Sequence, residues 1–179
     1  GLFSDPEMVL IDTRYLETVT EREICSGLAE IIKYGLSYDI KIWDEINSFK
    51  KFNIKNISTL IHRSIEIKNE VVTEDPKETG LRKVLNFGHT LGHAIENEHA
   101  LLHGHAISIG MVYAAKISQV LLGFTGTGFL VETLKKYGLP TAMHFDIDAA
   151  MGLMQKDKKK ANAGMQYVLL SKIGKGVYE

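Results

Sequence analysis

The sequence is poor in cysteine and has no long apolar run, and each of these two features excludes certain classes of protein. Cys25 is the single cysteine among 179 residues, which excludes an internal disulfide and favours a reducing compartment, expected to be the cytoplasm. No segment reaches the roughly 18 consecutive apolar residues of a membrane span, and no secretory signal is recognisable. We therefore expect no membrane partner.

An excess of charge of one sign is also missing. The 21 basic and 22 acidic residues give a formal net charge of −1, whereas nucleic-acid-binding domains concentrate positive charge, so no nucleic-acid partner is expected. The dense basic run between Lys156 and Lys160 is, by composition alone, a solvated surface. Only three prolines are present, and no Ser/Pro-rich linker divides the chain, so residues 1–179 are predicted to form one domain.

Apolar periodicity predicts a mainly α-helical domain with a few short β-strands. The spacing predicts helices over 21–37, 39–49, 54–74, 84–98, 104–122, 127–137 and 147–155. Two short apolar runs, Met8–Asp12 and Gln166–Leu170, are typical of buried strands. The helix over 104–122 is apolar on nearly all sides, which predicts a central place in the core.

Histidines are concentrated in one stretch of this sequence. Five of the seven lie between Leu85 and Ala106. On a helix over 84–98, Asn86, His89 and His93 share one face, where two imidazoles can bind one metal, serve one pocket, or lie on a solvated polar face. His103 stands at the start of the next helix, whose positive end disfavours a protonated imidazole and leaves it available as a ligand.

A metal bound by two histidines needs a further ligand, and periodicity does not select one. The carboxylates open to consideration are Glu30, Glu78, Glu96 and Glu98. Glu30 and Lys33 share the polar side of their helix, where a solvated ion pair is the default interpretation. Lys68 falls within the apolar arc of the helix over 54–74, so it reaches solvent along its stem, faces a buried anion, or loses its charge.

Four segments, in order, resemble 3-dehydroquinate synthase. They are "SGLAEIIKYGL" (Ser26–Leu36), "KNEVVTEDPKETGLRKVLNFGHTLGHAIE" (Lys68–Glu96), "LLHGHAISIGM" (Leu101–Met111) and "QKDKKKANAGMQYVLLSKIG" (Gln155–Gly174). The resemblance covers almost the whole chain and implies the family's C-terminal, metal- and substrate-binding helical domain. It also implies a preceding N-terminal NAD-binding domain, with residues 1–12 similar to the segment just after that domain.

The resemblance implies roles for ten residues. The ligands of Zn²⁺ (or Co²⁺) would be Glu30, His89 and His103. The substrate-binding and catalytic residues would be Lys33, Lys68, Glu78, Arg82, Asn86, His93 and Lys158. The chain reads "HGHA" at 103–106, where the family commonly has "HGEA", so His105 alters the surroundings of a ligand but not the ligand.

The implied activity is that of a zinc- and NAD-dependent lyase of the shikimate pathway. It would convert a sugar-acid phosphate, 3-deoxy-D-arabino-heptulosonate 7-phosphate, to 3-dehydroquinate and phosphate through oxidation, β-elimination, reduction, ring opening and an internal aldol reaction. Arg82 and Lys68 would clamp the substrate carboxylate, and Lys158 would lie toward the phosphate. Lys33, Asn86 and His93 would hold hydroxyls and pass protons. The complete enzyme is expected to be a homodimer, and this chain alone to be inactive.

Three other functions remain open at this point. Another sugar-phosphate cyclase would share the scaffold and the metal, although Arg82 and Asn86 favour a carboxylate-bearing substrate. A metal-dependent alcohol or glycerol dehydrogenase also binds metal in a helical domain, but it does not need the anion-binding set of Lys33, Lys68 and Arg82. The third alternative is a non-catalytic metal-binding fragment.

Overall fold

A computed structural model describes residues 6–50, 54–159 and 166–178 and confirms the mainly helical class. The helices are α1 Glu21–Ser37, α2 Ile40–Ser48, α3 Ile54–Glu74, α4 His89–His99, α5 His103–Leu122, α6 Thr127–Lys136 and α7 Ile147–Lys159. Short 3-10 helices cover Thr13–Thr18 and Leu81–Asn86, and strands β1 Val168–Lys172 and β2 Lys175–Tyr178 form an antiparallel hairpin.

Two strand predictions differ from the structure. Met8–Asp12 is not a strand, and Met8 and Leu10 are 78% and 88% exposed. β-Propensity alone does not make a strand without a neighbour to pair with, and the described sheet has only the order β1-β2. The strand predicted at Gln166–Leu170 is found two residues later as β1, and its partner β2 was not predicted.

The helix predicted over 84–98 is interrupted. The chain forms a 3-10 helix over Leu81–Asn86, and α4 begins only at His89. Gly88 separates them with a left-handed φ of 81°, a conformation that an α-helix does not contain and that glycine adopts without steric cost. As a result, Asn86 and His89 are on two separate elements rather than on one helical face.

Helix α5 is the central element, as its apolar character predicts. It packs against α1, α4, α6 and β1, and Ser118 accepts a hydrogen bond from the Leu170 backbone N–H at 2.9 Å, which attaches β1 to it. Among the described helices, α5 alone has the length and mean hydropathy, 1.3, of a candidate membrane span, and 56% of that stretch is buried. A buried core helix meets the same criteria, so this is weak evidence for a membrane span.

The contact between α4 and α5 depends on glycine, which gives a test of the fold. A methyl group on Gly110 would collide with the carbonyl oxygen of Gly88, so Gly110→Ala should lower the free energy of unfolding by about 2 kcal/mol or more. Gly27 on α1 is the matched control, because a methyl group there meets nothing within 4 Å. Gly27→Ala should raise stability by about 0.5–1 kcal/mol. Urea unfolding followed by circular dichroism measures both, and equal stability of the two variants would contradict the packing described.

Candidate metal centre and substrate cleft

Three side chains of metal-ligand type converge from three helices. The Glu30 carboxylate on α1 places Oε1 3.2 Å from Nε2 of His103 and 3.4 Å from Nε2 of His89. The candidate ligand atoms of these residues all lie within 4.8 Å of one another. Two imidazoles and a carboxylate are a donor set that suits Zn²⁺ with a position left open for water or substrate.

The start of α5 is docked directly on α1, and this contact brings His103 to Glu30. The Gly104 backbone N–H donates to Ser26 Oγ at 3.0 Å. A methyl group at Gly104 would collide with the Ser26 carbonyl oxygen, so only glycine permits this approach. His89 arrives at the same place because α4 begins immediately after the left-handed turn at Gly88.

Both imidazoles have a hydrogen-bond acceptor next to the ring nitrogen that faces away from Glu30. His89 Nδ1 lies 3.3 Å from the Phe87 carbonyl oxygen. His103 Nδ1 lies 2.9 Å from Oε2 of Glu96 on α4. Of the carboxylates considered from sequence, Glu30 and Glu96 therefore contact the histidines, whereas Glu98 pairs with His99 at 3.7 Å.

Lys33 is buried, contrary to the solvated ion pair that its helical face suggested. It is 3% exposed, and its Nζ lies 2.6 Å from Oε2 of Glu30. Burial lowers the pKa of Lys33 most, Glu30 opposes this, and the positive charge of Lys68 lowers it further. Burial on its own would raise the pKa of Glu30, but the hydrogen bond from His89 and the charge of Lys33 hold it well below its usual value.

Lys68 is a residue of α3 and, unlike Lys33, it is not buried. Its side chain is exposed while its neighbour Ile67 is fully buried, so it extends out of the apolar arc. The positive charge of Lys68 lowers the pKa of Lys33, so the two ammonium groups interact electrostatically. Such a pair creates a local positive potential that favours an anion.

The loop after α3 is organised around the buried carboxylate of Asp75. This carboxylate accepts hydrogen bonds from the backbone N–H groups of Thr79 at 3.0 Å, Gly80 at 2.7 Å and Arg82 at 3.0 Å. Burial would raise the pKa of Asp75, but the hydrogen bonds from Gly80, Thr79 and Arg82 outweigh it and lower the pKa. These three backbone hydrogen bonds give the loop a defined shape.

This loop carries one group of predicted site residues. Glu78 has a left-handed φ of 56° and accepts a hydrogen bond from Asn86 Nδ2. Arg82 donates to the Pro76 carbonyl oxygen at 3.0 Å, and its Nε lies 3.9 Å from the Glu78 carboxylate. The structure therefore joins Glu78, Arg82 and Asn86 into one polar cluster.

Weakening Asp75 as a hydrogen-bond acceptor should loosen this loop. In Asp75→Asn we expect amide exchange at Thr79, Gly80 and Arg82 to become about 10-fold faster, because a neutral amide accepts fewer and weaker hydrogen bonds than a carboxylate. Hydrogen–deuterium exchange measures this. Asp146→Asn is the control, because the Asp146 carboxylate accepts hydrogen bonds from backbone N–H groups at the start of α7. In this variant amide exchange should become faster at the start of α7 and stay unchanged in the loop after α3. An unaltered loop in Asp75→Asn would show that its shape comes from elsewhere.

An open cavity of about 450 Å³ meets the candidate metal centre at His89. It is lined by Glu78, Lys83, Asn86, His89, Thr90, His93, Met154, Gln166, Tyr167, Val168 and Tyr178. The His93 ring lies 5.1 Å from the His89 ring and 5.9 Å from the His103 ring, between centroids. Four residues singled out from sequence, Glu78, Asn86, His89 and His93, thus share one cleft.

Some site residues differ from the sequence expectation in position or were missed. Arg82 and Lys68 are not among the residues that line the cleft. Lys158 falls within α7, and its side chain lies outside the described residues. Sequence reasoning did not select Lys83 and Tyr167, which line the cleft. Both lie within the motifs quoted above, where a basic and an aromatic side chain could have marked them as candidates.

Fold and site together define a helical domain with a candidate metal centre at the edge of a polar cleft. The family model described as 3-dehydroquinate synthase C-terminal matches residues 27–160. The chain therefore belongs to the family of 3-dehydroquinate synthase C-terminal domains.

Curated relatives bear the name 3-dehydroquinate synthase. One from Thermodesulfovibrio yellowstonii is 41% identical over 186 residues, covering 98% of this chain and 52% of the relative. One from Pyrococcus furiosus is 40% identical and covers 100% of this chain and 54% of the relative. The chain thus spans about half the length of the curated relatives it matches.

Solved structures of two synthases share the fold. The 2-epi-5-epi-valiolone synthase of Streptomyces hygroscopicus subsp. jinggangensis, with NAD⁺ and Zn²⁺ bound, has a TM-score of 0.85 at 23% identity, covering 95% of this chain and 50% of that chain. A 2-deoxy-scyllo-inosose synthase complexed with carbaglucose-6-phosphate, NAD⁺ and Co²⁺ has a TM-score of 0.76 at 28% identity, covering 93% and 49%. At 23% identity the first likeness shows the fold alone.

Proposed function

We propose that this chain forms the metal- and substrate-binding half of a 3-dehydroquinate synthase, which converts 3-deoxy-D-arabino-heptulosonate 7-phosphate to 3-dehydroquinate and phosphate. The observation that carries the proposal is the convergence of Glu30, His89 and His103 within 4.8 Å, next to the buried Lys33. The names of the curated relatives support the same activity.

The donor set fits a divalent metal, Zn²⁺ or Co²⁺. Glu30 would bind through Oε1, since Oε2 already accepts from Lys33 at 2.6 Å, and His89 and His103 would bind through Nε2. When bound, the metal would act as a Lewis acid on a substrate hydroxyl and carbonyl. Lys33 would keep Glu30 in its anionic form, which is the form that binds a metal.

The remaining side chains would bind the substrate and move protons. The lowered pKa of Lys33 brings its ammonium group closer to the range in which proton transfer is efficient. Asn86 and His93, which line the cleft, would hold hydroxyl groups, and His93 would also carry a proton. Arg82 and Lys68 would bind the substrate carboxylate, Glu78 would hold Asn86 in place, and Lys158 would lie toward the phosphate.

The other half of the active site would come from an N-terminal NAD-binding domain. In the described structure Gly123 and Gly126 lie between α5 and α6, so they join helix to helix, whereas a dinucleotide-binding glycine loop joins a strand to a helix. NAD would therefore be held by that other half, and the complete enzyme would be a homodimer. The single cysteine supports a cytoplasmic location.

A second candidate is another sugar-phosphate cyclase. The 2-deoxy-scyllo-inosose synthase structure is a complex with carbaglucose-6-phosphate, a sugar-phosphate analogue that has no carboxylate. The two candidate functions therefore differ in whether the substrate has a carboxylate. Lys68, which we propose binds that carboxylate, is the residue to substitute in a test.

We expect Lys68→Met to weaken binding of 3-deoxy-D-arabino-heptulosonate 7-phosphate to the zinc-loaded chain by about 10- to 100-fold, the effect of losing one charged contact. Isothermal titration calorimetry measures the affinity, and the fold should be unchanged because the side chain is exposed. Lys135→Met, at an exposed lysine of α6, is the matched control and should bind normally. The second candidate would be favoured by two results together. Lys68→Met would bind 3-deoxy-D-arabino-heptulosonate 7-phosphate as tightly as the unchanged chain does, and the affinity for glucose 6-phosphate, which has no carboxylate, would equal that for the sugar-acid phosphate.

A further inference from the structure

Glu96 is a partly buried carboxylate that the proposed ligand set leaves without a role. It projects from α4 and places Oε2 2.9 Å from Nδ1 of His103, while the opposite ring nitrogen, Nε2, lies 3.2 Å from Glu30. We infer that Glu96 is a positioning residue that fixes the orientation and proton of the His103 imidazole for metal binding. This inference rests on the proposed metal site.

The chemistry of the imidazole supports this role. A carboxylate only accepts hydrogen bonds, so the Nδ1 next to Glu96 carries the proton and donates it. In a neutral ring the other nitrogen, Nε2, then carries the lone pair, and this nitrogen faces Glu30 and His89. A carboxylate in this place also resists rotation of the ring.

His89 has an equivalent acceptor built from the backbone. Its Nδ1 lies 3.3 Å from the Phe87 carbonyl oxygen, and its Nε2 faces Glu30 at 3.4 Å. Both histidines therefore present the same nitrogen to the same carboxylate. Only at His103 is the orienting group a side chain, so only there can a substitution remove it.

The connection between α4 and α5 explains how Glu96 reaches His103. Ala100 ends α4 with a left-handed φ of 49°, an uncommon conformation for a residue with a Cβ. The chain reverses there, and α5 begins three residues later at His103. Helix α4 thus supplies a ligand at its first residue, His89, and the partner of another ligand two turns later.

A competing use of Glu96 is as a direct ligand. The candidate ligand atoms of His93, Glu96 and His103 also lie within 4.8 Å of one another. Glu96 Oε2 is at hydrogen-bond distance from Nδ1 of His103, and a metal bound through that nitrogen would have to displace its proton. The hydrogen bond therefore favours positioning over a second ion, and the two uses predict different zinc stoichiometries.

The test compares Glu96→Gln with Glu98→Gln in the 179-residue chain. Glutamine keeps the size of Glu96 but removes its charge, and Glu98 is on the same helix, where it pairs with His99 instead. Zinc affinity is measured by competition with a chromophoric chelator. We expect about 10- to 100-fold weaker binding in Glu96→Gln, still one zinc per chain at saturation, and no change in Glu98→Gln.

A second readout reports on the ring itself. In the ¹⁵N-labelled, zinc-loaded chain, the His103 Nδ1 proton should exchange slowly with water and about 10-fold faster in Glu96→Gln. Unchanged affinity and exchange in that variant would overturn the inference while leaving the metal site intact. A proton on Nε2 would also overturn it, as would a second zinc equivalent that disappears in both Glu96→Gln and His93→Ala. Retention of zinc by His89→Ala would instead refute the proposed metal site, and the inference with it.

Discussion

Alanine at His89 or at His103 is expected to leave the chain without stoichiometric zinc. Each substitution removes one of three proposed protein ligands. Zinc affinity should therefore fall by more than the 10- to 100-fold that is typical when a metal ligand loses its hydrogen-bond partner. Metal analysis after gel filtration in the presence of a weak chelator measures the zinc retained per chain.

The control for this experiment is His99→Ala, at the last residue of α4. His99 Nε2 lies 3.7 Å from Oε2 of Glu98, and His99 takes no part in the group formed by Glu30, His89 and His103. Its replacement should leave zinc binding unchanged. If His89→Ala and His103→Ala both kept one zinc per chain, the metal centre would have to lie elsewhere.

The second large effect concerns turnover, which the 179-residue chain alone should not support. The proposed reaction begins with hydride transfer, and this step needs a nicotinamide ring held against the substrate carbon. We expect no detectable 3-dehydroquinate when the chain is assayed with substrate, NAD and Zn²⁺. Chromatography of the reaction mixture and a phosphate-release assay give the measurement.

Mixing experiments complete that test. A separately produced N-terminal NAD-binding half should restore measurable turnover, and restoration should fail when the added chain carries His103→Ala. Product formed by the chain alone would show that NAD is bound within these residues. Turnover restored equally by the wild-type and His103→Ala chains would show that the proposed metal centre does not take part.

Local patterns predicted the helices well, because a helix that buries one face repeats its apolar residues at helical spacing along the sequence. The bounds of α1 and α3 agree with the prediction at both ends. The strand prediction at Met8–Asp12 was wrong, since a run of strand-forming residues does not reveal whether another strand is available to pair with it. The break at Gly88 was missed because a single glycine inside an apolar period is also tolerated within a helix.

The candidate site was less accessible to sequence reasoning. Glu30 and His103 are 73 residues apart, and no periodicity links positions on two different helices, so their pairing was predicted from resemblance alone. Lys33 lies on the polar side of an amphipathic helix, which normally faces water, but in the fold this side faces the centre of the site. Burial of a polar face becomes visible only when the neighbouring helices are in place. The roles assigned to these residues stay predictions.

Gly104 shows how differently two adjacent positions can resist substitution. If each position were substituted by every other amino acid, we expect almost no substitution to be tolerated at His103 or at Gly104. The two positions would then give similar results. At His103 the restriction would be chemical, and another metal-binding side chain could partly relieve it. At Gly104 it is spatial, because the Ser26 carbonyl leaves no room for any Cβ. Genetic intolerance along the "HGHA" motif therefore would not by itself distinguish the residue that binds from the residue that lets two helices meet.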